Sequence, residues 1–273
     1  MTLAEIMHFA FFQRAIIAGT LIAILCSVLG VFLVLRRLSL IGDGLSHVTF
    51  GSVALALLLG FQSLYTSLAA IPCVLVAAFG ILKIADKARI YGDAAIGIVS
   101  SLGIALGILL ASISGGFNVD LFSYLFGNIL SISRPELLAT FCLFLVVVLA
   151  VVFFYNDLFA ITFDEELAEV SGISVSRINT VLVLLTGLTV VLAMKVVGIM
   201  LISALLILPA VTALQVARGF KTAILLSAGL GVASVVGGIF FSFFMDIPTG
   251  ATIIIISFLL FAIFFVLRKA TRA

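Results

Sequence analysis

The sequence is poor in charged residues. Asp, Glu, Lys and Arg make up only 10% of its 273 residues, whereas a soluble globular domain has about 25%. Such a chain cannot cover a surface that faces water, but it can cover one that faces lipid, because 64% of its residues are hydrophobic. The composition therefore excludes a soluble globular domain and predicts a chain that is embedded in a lipid bilayer.

The alternation of apolar and polar residues that a membrane β-barrel requires is also missing. The apolar runs are instead continuous, and each is close in length to the roughly 20 residues that a spanning helix needs. We therefore predict an all-α, polytopic membrane helical bundle. The runs predict about nine transmembrane helices, at residues 12–35, 45–59, 64–82, 94–112, 136–155, 177–194, 196–214, 222–244 and 250–267.

The number of spans stays open between eight and ten. No recognisable turn separates Ala193 from Gly198, although a hairpin needs polar, Gly or Pro residues to reverse the chain. This part is therefore either two spans or one broken helix followed by a shorter one. The stretch 117–130 would add a tenth span. No long polar linker occurs, so we predict a single transmembrane domain over residues 1–273.

Basic residues predict the orientation, because short cytoplasmic loops hold an excess of Lys and Arg. With the N-terminus outside and the C-terminus in the cytoplasm, eleven of the fourteen basic residues lie inside, and the opposite orientation reverses this ratio. The three that remain outside are Arg14, Arg134 and Lys195. The eleven inside are Arg36, Arg37, Lys83, Lys87, Arg89, Arg177, Arg218, Lys221, Arg268, Lys269 and Arg272.

Cysteine and histidine are scarce. The three cysteines are scattered through apolar runs, and their spacing matches no metal-binding or redox motif. Of the two histidines, His47 follows Asp43 by four residues at the start of an apolar run. Side chains at i and i+4 share one face of a helix. The pair can therefore present an oxygen and a nitrogen to one divalent ion.

Two interpretations of this pair remain open from the residues alone. Asp43 can cap the N-terminus of a helix, with His47 as a polar residue near the membrane interface. Alternatively, the pair binds a metal ion, since an ionisable residue within a span is a functional candidate by default. Two ligands are fewer than the four of a structural zinc site, and this suits a path that must release its ion.

A short acidic segment follows the fifth predicted span. Thr162 or Asp164 can cap a helix here, and Gly172 can end it. The acidic residues of the segment lie in the first turns of this helix, where the helix dipole favours negative charge. The segment is either a solvated loop helix or a docking helix for a cytoplasmic partner, in which the small Ala168 allows close contact. Four of the twelve acidic residues fall here, namely Asp164, Glu165, Glu166 and Glu169.

Several stretches of the chain resemble those of one transporter family, in the same order and over nearly the whole length. Together they are similar to the membrane permease subunit of bacterial zinc/manganese ABC importers, the ABC-3 family, and particularly to its zinc-uptake type. The stretches are Arg36–Ser39 with Gly42–His47, Val119–Gly127, Asp164–Gly172, Met194–Gly198 with Leu205–Ala210, and Asp246–Gly250.

The resemblance implies a type II ABC importer permease fold, in which two copies form a translocation path on the dimer axis. It implies that Asp43 and His47 coordinate the transported metal, zinc first and manganese next, and that no cofactor is permanently bound. The implied setting is the bacterial cytoplasmic membrane. The implied partners are a second permease, two cytoplasmic ATP-binding cassette subunits and an extracytoplasmic metal-binding protein, with no nucleic acid. The implied ATPase-coupling helix includes Asp164, Glu165, Glu166, Ala168 and Gly172.

The chain also lacks a phosphate-binding loop. No G-x-x-x-x-G-K-[ST] motif occurs, and the nearest match, Gly219–Thr222, lacks the first glycine at the required spacing. We therefore expect ATP to be bound and hydrolysed by a separate subunit, and this chain not to be an enzyme. One alternative is a permease of the same fold for iron, an iron chelate or cobalamin; chelates and cobalamin need a wide path without metal ligands. Another is a non-transporting scaffold, which needs neither a ligand pair nor a docking helix.

Overall fold

The computed structural model describes residues 9–61, 64–88, 92–113, 127 and 132–272. Within these ranges the chain forms helices and no strands. Eight of the helices, α1–α5, α8, α10 and α11, are long and apolar enough to cross a membrane. The helices are α1 (Ala10–Leu35), α2 (Ile41–Leu58), α3 (Leu64–Ala88), α4 (Gly92–Ile113), α5 (Arg134–Phe153), α6 (Tyr155–Phe163), α7 (Glu165–Val170), α8 (Val175–Val197), α9 (Ile199–Val216), α10 (Phe220–Met245) and α11 (Thr249–Arg272).

The nine predicted spans each correspond to a helix of the structure. Eight coincide with the candidate membrane-spanning helices, and the remaining one coincides with α9, whose apolar part is shorter. The prediction of an all-α polytopic bundle is therefore confirmed. The additional stretch 117–130 lies outside the described residues except for Gly127.

A single glycine separates the two helices in the region where the span count was open. α8 ends at Val197 and α9 begins at Ile199. Between them Gly198 has φ +91°, a left-handed conformation that glycine adopts without the steric cost of a side chain. After this break α9 packs against α1, α10 and α11, whereas α8 packs mainly against α3. The region therefore forms two helices with different neighbours.

The helix α1 lies in the middle of the bundle, and most of its residues are buried. It packs against α10, α9, α5 and α8, and its side chains Phe12, Ile22 and Leu29 are fully buried. Ser227 Oγ of α10 donates a hydrogen bond of 2.9 Å to the Ser27 carbonyl of α1. The outer helices α3, α4, α5 and α11 instead expose many large apolar side chains, as expected of helices that face lipid.

One end of the bundle gathers the end of α1, the α6–α7 segment and the beginning of α10. The Phe220 ring of α10 lies against the rings of Phe32, Phe159 and Phe163, with centroid distances of 5.3, 5.2 and 5.6 Å. Arg36, which follows α1, forms hydrogen bonds with α6 and α7. We call this end the Arg36 end. The contacts place on one side of the bundle the segments that the predicted topology puts on one side of the membrane.

Candidate functional site

Asp43 and His47 lie in the first two turns of α2. The helix begins at Ile41 after Leu40, and no side chain caps its N-terminus. Asp43 is the third residue of the helix, so it does not occupy the capping position. The interpretation of Asp43 as a helix cap is therefore wrong, and its carboxylate is available for other contacts.

The Asp43 carboxylate contacts two groups. Its Oδ2 atom lies 3.4 Å from His47 Nε2, one turn further along the helix. Its Oδ1 atom accepts a hydrogen bond of 3.2 Å from Ser203 Oγ, near the beginning of α9. Sequence reasoning missed Ser203, because 160 residues separate it from Asp43 and no local pattern connects them.

The pair lies within the bundle, near the Arg36 end. Leu206 of α9 contacts both Gly30 of α1 and Gly42 of α2, and a Cβ added at either glycine would collide with it. The three residues therefore lie at one level. Gly30 is about 8 Å along the helix axis from the end of α1. Asp43, next to Gly42, thus lies at a depth that α1 spans.

The backbone that carries His47 rests directly on α4. A Cβ on Gly103 of α4 would lie 2.7 Å from the Val48 nitrogen and 2.9 Å from the His47 carbonyl carbon. Real Cβ atoms do not approach main-chain atoms this closely, so the contact requires glycine at position 103. Small residues of this kind allow close helix packing in membranes. The position of His47 is therefore determined by a backbone contact as well as by its own helix.

The pair can supply one oxygen and one nitrogen to a metal ion. Two ligands about 2.1 Å from one ion are about 3.0 Å apart at octahedral angles and about 3.4 Å apart at tetrahedral angles; the observed separation is 3.4 Å. The side chains are accessible, with exposures of 48% for Asp43 and 27% for His47. In the described part of the chain, no group of three or more His, Cys, Asp or Glu side chains could hold an ion. A bound ion would therefore need further ligands from water or from another chain.

The acidic segment forms the helix α7 at the Arg36 end. Asp164 Oδ1 accepts a hydrogen bond of 2.9 Å from the Leu167 N–H and so caps the helix N-terminus, as predicted. Gly172 follows the helix with φ +87°, which is the conformation expected of a glycine that ends a helix. The local structure of this segment is therefore the one that its residues predict.

The side chains of α7 divide into a buried face and an exposed face. Ala168 is buried in the core of this chain, so its side chain does not offer the close contact with a partner that the sequence suggested. Leu167, Val170, Glu165 and Glu166 are exposed. The helix therefore presents apolar and acidic groups together at the surface of the Arg36 end.

These features define a multi-pass helical membrane protein with an accessible polar pair at a depth that its helices span. The sequence profile described as the ABC 3 transport family matches residues 8–268, so the chain belongs to this family of ABC metal-importer permeases. It is the membrane permease subunit of such a transporter, in which ATP hydrolysis belongs to a separate subunit. The family that the sequence motifs predict is thereby confirmed.

Relatives of this chain are similar over nearly its whole length. The manganese transport system membrane protein MntC of Halalkalibacterium halodurans is 36% identical over 261 residues, which cover 96% of this chain and 88% of that protein. The high-affinity zinc uptake system membrane protein ZnuB of Haemophilus influenzae is 30% identical over 249 residues, covering 91% and 94%. A chain in the structure of PsaBC from Streptococcus pneumoniae in complex with Fab is 35% identical and superposes with a TM-score of 0.86, covering 97% and 95%. The predicted permease fold is confirmed by this similarity.

Proposed function

We propose that this chain forms the ion path of an importer for divalent transition metals, with Asp43 and His47 as ligands of the passing ion. The observation that carries the proposal is the 3.4 Å separation of a carboxylate oxygen and an imidazole nitrogen on an accessible helix face. Carboxylate and imidazole both bind divalent transition metals. The absence of a capping role for Asp43 supports the assignment, because it removes the main structural reason for an aspartate at this place.

Manganese is the cargo that we favour, with zinc as the second candidate. The motifs rank zinc first, but the relative named for manganese is 36% identical and the relative named for zinc is 30% identical. The site chemistry also suits manganese, because Asp43 and Ser203 bring oxygen atoms together, and manganese favours oxygen ligands. Zinc generally binds a given site more tightly than manganese. Discrimination therefore depends on coordination geometry and on the protein that delivers the ion.

A second copy of the chain completes the path in this proposal. One copy leaves Asp43 half exposed, and its described residues supply two of the ligands that an ion needs. Two copies related by a two-fold axis would present two carboxylates and two imidazoles to that axis. Four ligands hold an ion firmly, and a small separation of the copies reduces them to two, which suits a path that must release its ion.

The Arg36 end faces the cytoplasm in this proposal, and the N-terminus of the chain lies outside. This assignment puts Arg36, Arg37 and Lys221 on the cytoplasmic side, where Lys and Arg are in excess. The exposed Leu167 and Val170 of α7 dock an ATP-binding cassette subunit, one for each permease copy. An extracytoplasmic metal-binding protein delivers the ion at the opposite end. The whole chain acts as a single transmembrane domain.

Uptake of manganese and zinc by the assembled complex in proteoliposomes tests the ligand assignment. We expect Asp43→Ala and His47→Ala each to lower the initial uptake rate to the background of vesicles without ATP, because each removes one of the two ligands. Asp93→Asn is the matched control, since Asp93 is an exposed carboxylate in the first turn of another spanning helix, α4. Near-normal uptake by both alanine variants would contradict the assignment.

The same vesicles rank the cargo. Uptake of zinc without uptake of manganese by the unaltered complex would reverse the order of the two metals and leave the ligand assignment intact. Transport of an iron chelate or cobalamin that is unaffected by Asp43→Ala would instead favour the alternative cargo, because such a path needs no metal ligands.

A further inference from the structure

Arg36, at the end of α1, joins the linker between α1 and α2 to the α6–α7 segment. Its side chain is only 7% exposed. Its Nη1 donates a hydrogen bond of 2.9 Å to the Ile161 carbonyl of α6, and its Nη2 donates one of 3.2 Å to Glu165 Oε2 of α7. One guanidinium therefore holds two helices that lie more than a hundred residues further along the chain.

The two acceptors lie on either side of the corner between α6 and α7. Ile161 belongs to the last turn of α6, where carbonyl groups have no partner within the helix and a cation is favoured by the helix dipole. Glu165 is the first residue of α7. Burial lowers the pKa of the Arg36 guanidinium and the Glu165 carboxylate opposes that shift; an arginine of this kind remains protonated. Arg36 thus fixes the angle at this corner with a charged, planar group.

The connection from Arg36 to the metal site is short and ordered. Residues 36–40 link α1 to α2, and Asp43 follows in the first turn of α2. Within the linker, the Leu38 N–H donates a hydrogen bond of 2.8 Å to the Leu33 carbonyl, and the Ile41 N–H donates one of 3.0 Å to the Leu38 carbonyl. A displacement of the linker therefore reaches α2 without being absorbed by a loose loop.

A separate contact ties α6 to the rest of the same end. Phe159 and Phe163 of α6 lie against Phe220 of α10, which also contacts Phe32 of α1. This aromatic cluster holds α6 in place without Arg36. Loss of the Arg36 contacts would consequently leave α6 held by this cluster, but the linker between α1 and α2 would no longer be tied directly to the corner between α6 and α7.

We infer that Arg36 is a positioning residue that transmits movement of the docking helix α7 to the ligand pair on α2. The inference rests on the proposed docking role of α7. A push on α7 by an ATP-binding cassette subunit moves Glu165 and the α6 corner, Arg36 follows both, and the α1–α2 linker passes the movement to Asp43. ATP hydrolysis is thereby coupled to the opening and closing of the metal site.

The ratio of manganese taken up to ATP hydrolysed tests this role, measured in proteoliposomes that contain the complete complex. We expect Arg36→Gln to retain its ATP-binding cassette subunits and its manganese binding, while the ratio falls about tenfold, a typical size for coupling between two sites. Arg36→Lys should fall in between, because a single ammonium does not reproduce the planar fork that reaches both acceptors. Glu165→Gln should show a smaller loss, since the Ile161 hydrogen bond remains.

Arg37→Gln is the matched control, because it removes the same charge from the neighbouring, exposed position. It should leave the ratio unchanged, and an equal effect of the two substitutions would overturn the inference. An unchanged ratio in Arg36→Gln, or loss of the ATP-binding cassette subunits from that variant, would overturn it as well. Failure of the ligand assignment is distinguishable, because it appears as normal uptake in Asp43→Ala and His47→Ala whatever the Arg36 variants do.

Discussion

Two polar side-chain pairs near the Arg36 end of the bundle differ in what they connect. Asp43 and His47 lie one turn apart on a single helix, and both side chains are accessible. Arg36 and Glu165 lie 129 residues apart, and the Arg36 side chain is almost entirely buried. The first pair lies on one helix and is open to a ligand, whereas the second connects the end of α1 to α7. A pair that binds a ligand is therefore recognised by its accessible side chains, and a pair that transmits movement is recognised by the separate helices that it connects.

Among the predictions that test this comparison, the largest effect is expected for a substitution of Gly103. Gly103→Ala places a Cβ 2.7 Å from the Val48 nitrogen, and a main-chain atom cannot rotate away from it. We expect α2 to shift at His47 and manganese uptake to fall about 100-fold, since misplacement by about 1 Å can cost that much in a positioned site. The initial uptake rate of the complex in proteoliposomes measures it. Coupling through Arg36 should be unaffected in the transport that remains.

Gly97→Ala supplies the control on the same helix. Gly97 has no heavy atom of the described residues within 4 Å of its added Cβ, so a methyl group there meets open space. Both substitutions also improve helix propensity by a similar amount, which cancels in the comparison. If the Gly103→Ala and Gly97→Ala variants took up manganese at the same rate, the backbone contact of α4 would not be what positions Asp43 and His47.

Removal of the Ser203 hydroxyl should have an intermediate effect. Ser203 Oγ orients the Asp43 carboxylate through Oδ1 and leaves Oδ2 toward His47. We expect Ser203→Ala to weaken manganese binding by about tenfold, the lower end of the range for groups that orient metal ligands. Equilibrium binding of manganese to the purified permease measures this loss. Ser52→Ala is the control, because Ser52 Oγ donates to the Val48 carbonyl of its own helix. Equal losses in the two variants would remove Ser203 from the site.

Most of this fold can be predicted from the sequence, because the membrane constrains the composition of each spanning helix. Each spanning helix must be continuously apolar, so the runs reveal the spans and their approximate ends. The break between α8 and α9 was harder to recognise, because a single glycine at positive φ changes the chain direction without any polar residue. A turn that is buried among apolar helices needs no polar signal, and only the packing of α9 on α1 and α11 shows where it goes.

The candidate site likewise contains residues that the local sequence predicts and residues that it does not predict. Asp43 and His47 were predictable, because four residues along one helix determine which side chains share a face. Ser203 and Gly103 were not predictable as partners, because their roles depend on the rotation and depth of α9 and α4 against α2. Ala168 shows a further limit: α7 has six residues, and so short a helix has too little periodicity to reveal which face is buried.

The smallest effect among these predictions is expected for the contribution of Glu165 to the stability of the permease. More than half of the Glu165 side chain is exposed, and ion pairs of this kind contribute about 0–1 kcal/mol. Glu165→Gln should therefore lower the melting temperature of the permease in detergent by at most about 2–4 °C. Arg36→Gln should lower it more, because it also removes the donor of the partly buried Ile161 carbonyl. A larger fall for Glu165→Gln than for Arg36→Gln would mean that the ion pair, and not the carbonyl at the end of α6, is the main anchor of Arg36.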